Sequence, residues 1–291
     1  MINQENIICI EKLLNNKKII YSKLLSDSFN INCFKFTTSD KQNYIVKYYK
    51  NTTETFNAIE AERRNLKFIM KLNIKLFPKV CVDNGDYLII SYIENNDNKP
   101  NETKSDLLEG ILLLHSFTEN KYGFEFDTQI GGLKQINKIS YNWVDFFREF
   151  RLGYIYEIIN SSNKMEAEIN IKIEFLLNKL NEFLPKNPKP SLLHGDLWEG
   201  NILFNNSKFV GFIDPGSFYG HNELEIAYLR WFNPIFIDNK FLDKNNETIK
   251  INDEYLNYEP IYQLYYSLLN VYLWDRSYIG DVKRLLDKIK I

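Results

Sequence analysis

Along its first third the chain sets short β-rich runs around one stretch of helical period. Residues 31–37 and 44–49 are dominated by β-branched and aromatic residues and flank Thr38-Ser39-Asp40-Lys41, a spacing that predicts a hairpin. Over residues 55–72 the apolar positions, among them Ala58, Ala61, Leu66 and Ile69, predict a helix. Residues 80–82 and 87–92 predict a second strand pair about the turn Asp83-Asn84-Gly85-Asp86. The polar run 94–104, which contains Pro100, predicts the boundary between a first lobe, residues 1–94, and a second, residues 95–291. Beyond it the period is helical. Leu108, Ile111, Leu112 and His115 fall on one helix face, and Trp143, Phe146, Phe147 and Phe150 repeat that spacing. Residues 165–184 predict a third helix stopped by Pro185, and residues 254–291 two more. No internal repeat is present. The predicted class is α+β, with a small β-rich N-terminal lobe and a larger, mainly helical C-terminal lobe.

Composition narrows the function classes. The 291 residues are 44% apolar and 25% charged, ordinary for a globular protein long enough to bury a sizeable core. With 36 Lys+Arg against 38 Asp+Glu the net charge is −2, which argues against a nucleic-acid partner held through phosphates. Cys9, Cys33 and Cys81 are widely spaced and form no CxxC pair, so a reducing, cytoplasmic setting is expected rather than a disulfide framework or zinc site. No run of about 18 apolar residues exists to span a bilayer, and the start of the chain does not read as a secretory signal. His115, His194 and His221 show no metal-ligand spacing. Asn- and Lys-rich stretches such as Asn95-Asn96-Asp97-Asn98 are flanked by periodic segments and read as loops, not as disorder.

One segment carries chemistry. Residues 202–204 and 209–213 predict a hairpin, with Asn201 entering it and Asp214 leaving it. Antiparallel return brings Asn201 and Asp214 to the same end, and Asp196 lies five residues upstream on the loop leading in. Two acids and an amide at a hairpin mouth make an oxygen-rich pocket suited to Mg²⁺ carrying phosphate. Asp and Asn also cap ordinary turns, but the spacing here is more specific. Asp196-Leu197-x-x-x-Asn201 reproduces the D-L-x-x-x-N of a kinase catalytic loop, His194 stands at the motif's His, and Asp214-Pro215-Gly216 stands where D-F-G would be.

The chain resembles the aminoglycoside phosphotransferase-like kinases, and within them most closely the fructosamine (ketosamine) kinase family. Three segments carry the resemblance: His194-Gly195-Asp196-Leu197-Trp198-x-Gly200-Asn201; Asp214-Pro215-x-x-x-Tyr219-Gly220-His221-x-Glu223-x-Glu225-x-Ala227; and upstream Tyr122-Gly123-Phe124, Gly131-Gly132, Gln135, Asn137 and Trp143-x-x-Phe146-Phe147-x-x-x-Arg151-Leu152. The resemblance implies a two-lobed protein-kinase-like fold with ATP in the interlobe cleft and transfer of its γ-phosphoryl group to the 3-hydroxyl of a ketosamine. That acceptor would be a fructosamine or ribulosamine, free or protein-linked. It implies Asp196 as catalytic base, Asn201 and Asp214 as Mg²⁺ ligands, and Lys47 on nucleotide phosphate, held by Glu62 of the following helix. Ser91, Tyr92 and Ile93 fall where such kinases meet adenine with backbone groups. Trp198, Tyr219 and His221 are the expected acceptor-binding residues, while Glu225 is expected beneath the catalytic loop and His115 buried in the core. A kinase of another small alcohol, such as an aminoglycoside or choline, is the enzymatic alternative. A non-catalytic nucleotide-binding pseudokinase is the other, because Ser26-Asp27-Ser28-Phe29-Asn30 replaces the family's glycine-rich turn and would set a carboxylate near the nucleotide.

Overall fold

The computed structural model describes residues 2–51, 56–162, 165–238, 240–289 and 291. Helix α1 (Gln4–Leu13) leads into strands β1 (Ile19–Ser28), β2 (Ile31–Thr38) and β3 (Asn43–Tyr49), then helix α2 (Ala58–Lys71) and strands β4 (Val80–Asp83) and β5 (Tyr87–Ser91). The strands form one antiparallel sheet in the order β1-β2-β3-β5-β4. The β2–β3 hairpin and the β4–β5 pair stand where the hydrophobic pattern predicts them. Helix α2 begins at Ala58, capped by the Asn57 side chain, which accepts from the Glu60 N–H at 2.9 Å. The predicted start of that helix, Thr55, lies outside the described residues. The pattern gives no sign of β1, an edge strand exposed over residues 20–27 whose apolar Ile20, Tyr21, Leu24 and Leu25 follow no period of two.

Alternation along the central strands sorts their side chains to two faces. Phe34, Phe36, Val46, Tyr48 and Ile89 pack with Ile10 and Leu14 of α1 in a closed core. Cys33, Lys35, Ile45 and Lys47 turn to the other face and line a deep cleft. Because α1 covers the back of the sheet, Lys47 is left as a buried lysine on the cleft side. Glu62, on α2 between the core residues Ile59 and Leu66, is buried beneath it.

The second lobe runs α3 (Ser105–Ser116), β6 (Thr128–Ile130), β7 (Leu133–Gln135), α4 (Trp143–Phe147), α5 (Gly153–Ser162), α6 (Ala167–Phe183), β8 (Pro190–Leu192), β9 (Ile202–Asn205), β10 (Lys208–Phe212), β11 (Tyr219–His221), α7 (Asn222–Phe232), α8 (Phe241–Asn246), α9 (Tyr255–Leu273) and α10 (Ile279–Ile289). Its core is continuous with Ile59, Leu66, Leu88 and Ile90 of the first lobe. The helices predicted at 165–184 and 254–291 are α6, α9 and α10.

One helix departs from its predicted period. Between α4 and α5 the backbone takes a wide π-helical turn, Arg148–Leu152. Trp143, Phe146 and Phe147 are fully buried, but the wider turn leaves Phe150 only partly buried and drives Arg151 into the core instead. Arg151 donates to the Ile136 carbonyl at 2.8 Å and to Asn137 Oδ1 at 2.7 Å, with its guanidinium 3.9 Å from the Phe218 ring centre. It thereby ties the segment following β7 to the helical core. Arg151→Ala should lower stability by about 3 kcal/mol, since it empties volume and strips buried acceptors of their donor. Urea unfolding measures this, and a loss below about 1 kcal/mol would contradict the role.

Candidate active site

The catalytic-loop motif is fixed from below. At Gly195 the chain takes φ 86°, and a Cβ there would lie 2.1 Å from the Gly216 carbonyl oxygen, so only glycine fits. The Gly216 N–H donates to the His194 carbonyl at 2.9 Å. Glu225, in the first turn of α7, accepts from the N–H groups of His194 (3.1 Å) and Gly195 (2.8 Å) and meets His115 Nε2 at 3.0 Å. Burial alone would raise its carboxyl, but His115 and these donors hold it below the ordinary carboxylate range. Glu225 and His115 therefore sit beneath the loop as expected. His194 donates from Nε2 to the Ile213 carbonyl at 2.9 Å and accepts at Nδ1 from the Asp196 N–H at 3.2 Å, the pattern of a neutral ring. Burial lowers its pKa, which keeps that form.

The hairpin brings the predicted residues together. Strands β9 and β10 turn at Asn206-Ser207, both at positive φ, and the Ile213 N–H donates to the Asn201 carbonyl at 3.1 Å. Asn201 Nδ2 donates to the Asp196 carbonyl (2.8 Å) and to Asp196 Oδ2 (3.3 Å). Asp214 leaves the hairpin at φ 57° and places Oδ1 2.6 Å from Lys47 Nζ. Lys47 also reaches both Glu62 oxygens at 2.8 Å. Burial would depress the Lys47 ammonium, but Asp214 and Glu62 hold it well above its ordinary value. Burial pushes Glu62 up while Lys47 pulls it back, and two contacts to the ammonium favour the carboxylate. Asp196 has no cation of its own; burial and the Asp214 charge push it up to about 7.

These groups share one cleft of roughly 1160 Å³, which Ser91, Tyr92, Ile93 and Trp198 also line. The Ser91 N–H already donates to the Lys79 carbonyl at 2.9 Å, so that group serves the sheet. The Trp198 ring packs 5.5 Å from Phe232 and forms part of the wall. Two predicted acceptor residues are elsewhere. Strand β11 pairs with β8 (Tyr219 opposite Leu192, His221 opposite Pro190), which carries both side chains away from Asp196. His221 is buried against Tyr262, whose hydroxyl is 2.8 Å from its Nδ1, and Tyr219 packs near Phe124; neither lines the cleft. The glycine-poor turn is also corrected. Ser26, Asp27 and Ser28 are strand, and the turn is Phe29-Asn30 alone. Ser26 and Ser28 face the cleft, whereas Asp27 alternates to the other side and pairs with Lys50. Tyr228, Phe232, Asn270 and Trp274 line the cleft without having been predicted. The aromatic residues merge with the core periodicity of α7 and α9, and Asn270, a lone amide in the apolar end of α9, is the only legible signal.

Fold and constellation together define a two-lobed phosphotransferase of the protein-kinase-like class. An aminoglycoside phosphotransferase solved with ADP bound superposes with a TM-score of 0.65 at 19% identity, covering 99% of this chain and 98% of that one. The chain belongs to the fructosamine kinase family, whose pattern matches residues 10–291. A protein of Enterococcus faecium described as a probable ketoamine kinase is 30% identical over 252 residues, 84% of this chain and 86% of that one. A Haemophilus somnus structure described as a putative fructosamine-3-kinase aligns with a TM-score of 0.79 at 25% identity, covering 98% of this chain and 96% of that one. Membership makes the protein an ATP-dependent kinase of ketosamines.

The raised Asp196 pKa has a consequence for stability. The unfolded carboxyl ionises near 3.8 and the folded one at about 7, so between these values the folded state binds more protons. Asp196 therefore costs stability as pH rises through that window. Asp196→Asn should gain on the order of 2 kcal/mol over wild type at pH 8 and almost nothing at pH 4. Urea unfolding at both pH values checks this, and an equal difference at each would show that Asp196 ionises normally.

Proposed function

We propose that the protein transfers the γ-phosphoryl group of ATP to the 3-hydroxyl of a ketosamine, free or protein-linked, with Asp196 accepting the hydroxyl proton. The observation that carries this reading is the meeting of Asp196, Asn201, Asp214 and the Glu62-held Lys47 in one cleft. An acid poised near 7 is matched to taking a proton at neutral pH. Lys47 is set to neutralise nucleotide phosphate. The donor set fits Mg²⁺: Asp196, Asn201 and Asp214 bring side-chain oxygens to one cleft, and the Asp214 side chain, 37% exposed, still faces it. Among the described residues no group of three or more His, Cys, Asp or Glu surrounds one position, which suits an ion that shares its shell with water and phosphate. Asn201 and Asp214 would hold it, and when bound it supplies charge neutralisation to the transferred phosphoryl group. Ser91, Tyr92 and Ile93 would border adenine.

The acceptor end favours a sugar with one amine. Trp198, Tyr228, Phe232 and Trp274 line it, and the carboxylates lining the cleft among the described residues are Glu62, Asp196 and Asp214, all at the phosphate end. A polycationic aminoglycoside would find no carboxylates of its own there. The name of the Haemophilus somnus relative supports position 3. With Asp27 facing away from the cleft and paired with Lys50, the glycine-poor turn sets no carboxylate beside the nucleotide, which weighs against a pseudokinase. No helix among the described residues is long and apolar enough to cross a membrane, and with three unpaired cysteines a cytoplasmic setting fits best.

Asp196→Asn should lower kcat at least ~100-fold and remove the rise in kcat/KM with pH through about 7. Trp198→Ala should raise KM for a fructosyl- or ribulosyl-lysine on the order of tenfold and leave KM for ATP nearly unchanged. An ATP-consumption assay across these ketosamines, kanamycin and choline tests the acceptor; turnover of kanamycin without turnover of either ketosamine refutes the proposal.

A further inference from the structure

The β1–β2 hairpin turns on Phe29 at φ 53° and Asn30 at φ 61°. Two-residue turns of this left-handed kind select Asn and Gly, and a bulky aromatic residue rarely adopts the conformation. Such strain persists where the surrounding structure imposes it. The Phe29 ring does not join the core of its own lobe. It crosses the cleft and meets Trp274, just past the end of α9, edge-on at 5.2 Å between ring centres and an interplanar angle of 71°. Beneath it lies the Gly131-Gly132 turn between β6 and β7, at φ 51° and 78°. A Cβ on Gly132 would stand 2.9 Å from Phe29 Cβ, so the turn is a seat that any larger residue would spoil. Trp274 is 58% exposed, and both rings line the same cleft as Asp196.

We propose that Phe29, Trp274 and the Gly131-Gly132 seat form a gate over the acceptor end of the cleft. The gate opens to admit the acceptor and, when closed, keeps bulk water from the reacting phosphate. The inference rests on the reading of the cleft as an ATP phosphotransferase site and is independent of which acceptor it serves. With the gate disabled, water takes the acceptor's place. Its oxygen bonds to the γ-phosphorus as the bond to the bridging oxygen breaks, and the products are ADP, inorganic phosphate and a released proton.

The test measures ADP formed from ATP and Mg²⁺ with no acceptor present. Phe29→Asn removes the ring but keeps a residue suited to the turn, and Trp274→Ala removes the opposite ring. Gly132→Ala keeps both rings and lifts Phe29 from its seat. Each should raise acceptor-free ADP formation at least tenfold. Phe29→Trp, which restores an aromatic ring, should return it toward the wild-type rate. Circular dichroism and urea midpoints confirm that each variant is folded. Unchanged acceptor-free ADP formation in folded Phe29→Asn and Trp274→Ala overturns the gate. Raised ADP formation alongside wild-type failure on every ketosamine supports the gate and removes the acceptor reading alone.

Discussion

A single buried ammonium holds the two lobes in working order. Lys47 comes from β3, Glu62 from α2 and Asp214 from the exit of β10, and three carboxylate oxygens lie 2.6–2.8 Å from its nitrogen. Removing an ion of this size from water costs several kcal/mol unless partners compensate. Each partner here makes the others tolerable. Helix α1 contributes indirectly, because by covering the back of the sheet it sends Lys47 to the cleft side. The left-handed backbone at Asp214 brings a carboxylate to meet it. That carboxylate in turn lies close enough to Asp196 to hinder its ionisation, so the protonation of Asp196 depends in part on how the lobes are joined.

A second set of ties anchors the catalytic loop from below. Glu225 takes two loop N–H groups and sits over His115, while neutral His194 joins the loop to the end of β10. The close passage of Gly195 over Gly216 completes the anchoring. Asp196 is thus positioned from below by bonds to the loop backbone, from the Glu225 carboxylate and the neutral His194 ring. Its charge state answers first to burial and the nearby Asp214 charge, while the Asn201 amide at 3.3 Å favours the carboxylate.

The cleft is electrically divided. Lys47 and the three acids gather in one part of the cleft, and aromatic rings from the catalytic loop, α7 and the region after α9 line another, with Lys23 and Lys35 on the sheet side. Charge at one end suits phosphoryl transfer, and neutral, flat surfaces at the other suit a sugar bearing one amine. The same aromatic character extends to the hairpin tip, where Phe29 reaches from the first lobe to Trp274 of the second. The lobes therefore meet through an ion cluster deep in the cleft and an aromatic contact at its mouth, as well as through the apolar core they share.

The two-lobed α+β class, the hairpins β2–β3, β4–β5 and β9–β10, and the grouping of Asp196, Asn201 and Asp214 in one cleft were legible in the amino-acid order. Those features are local: Asp196, Asn201 and Asp214 are joined by one loop and one hairpin, so spacing along the chain translates directly into proximity. Lys47 and Glu62 were legible because one strand and the next helix carry them in order. Tertiary structure alone decided what distance along the chain conceals. Tyr219 and His221 lie close to the motif in sequence, yet pairing of β11 with β8 takes them out of the cleft. Asp27 reads as part of a turn, but one more pleat of strand points it away and gives it Lys50. Arg151 enters the core because a π turn breaks the helical period. Tyr228, Phe232, Asn270 and Trp274 reach the cleft only when α7 and α9 pack beneath the catalytic loop. Their spacing is that of any buried helix face, and burial and site lining leave the same mark on a sequence until the packing partner is in place.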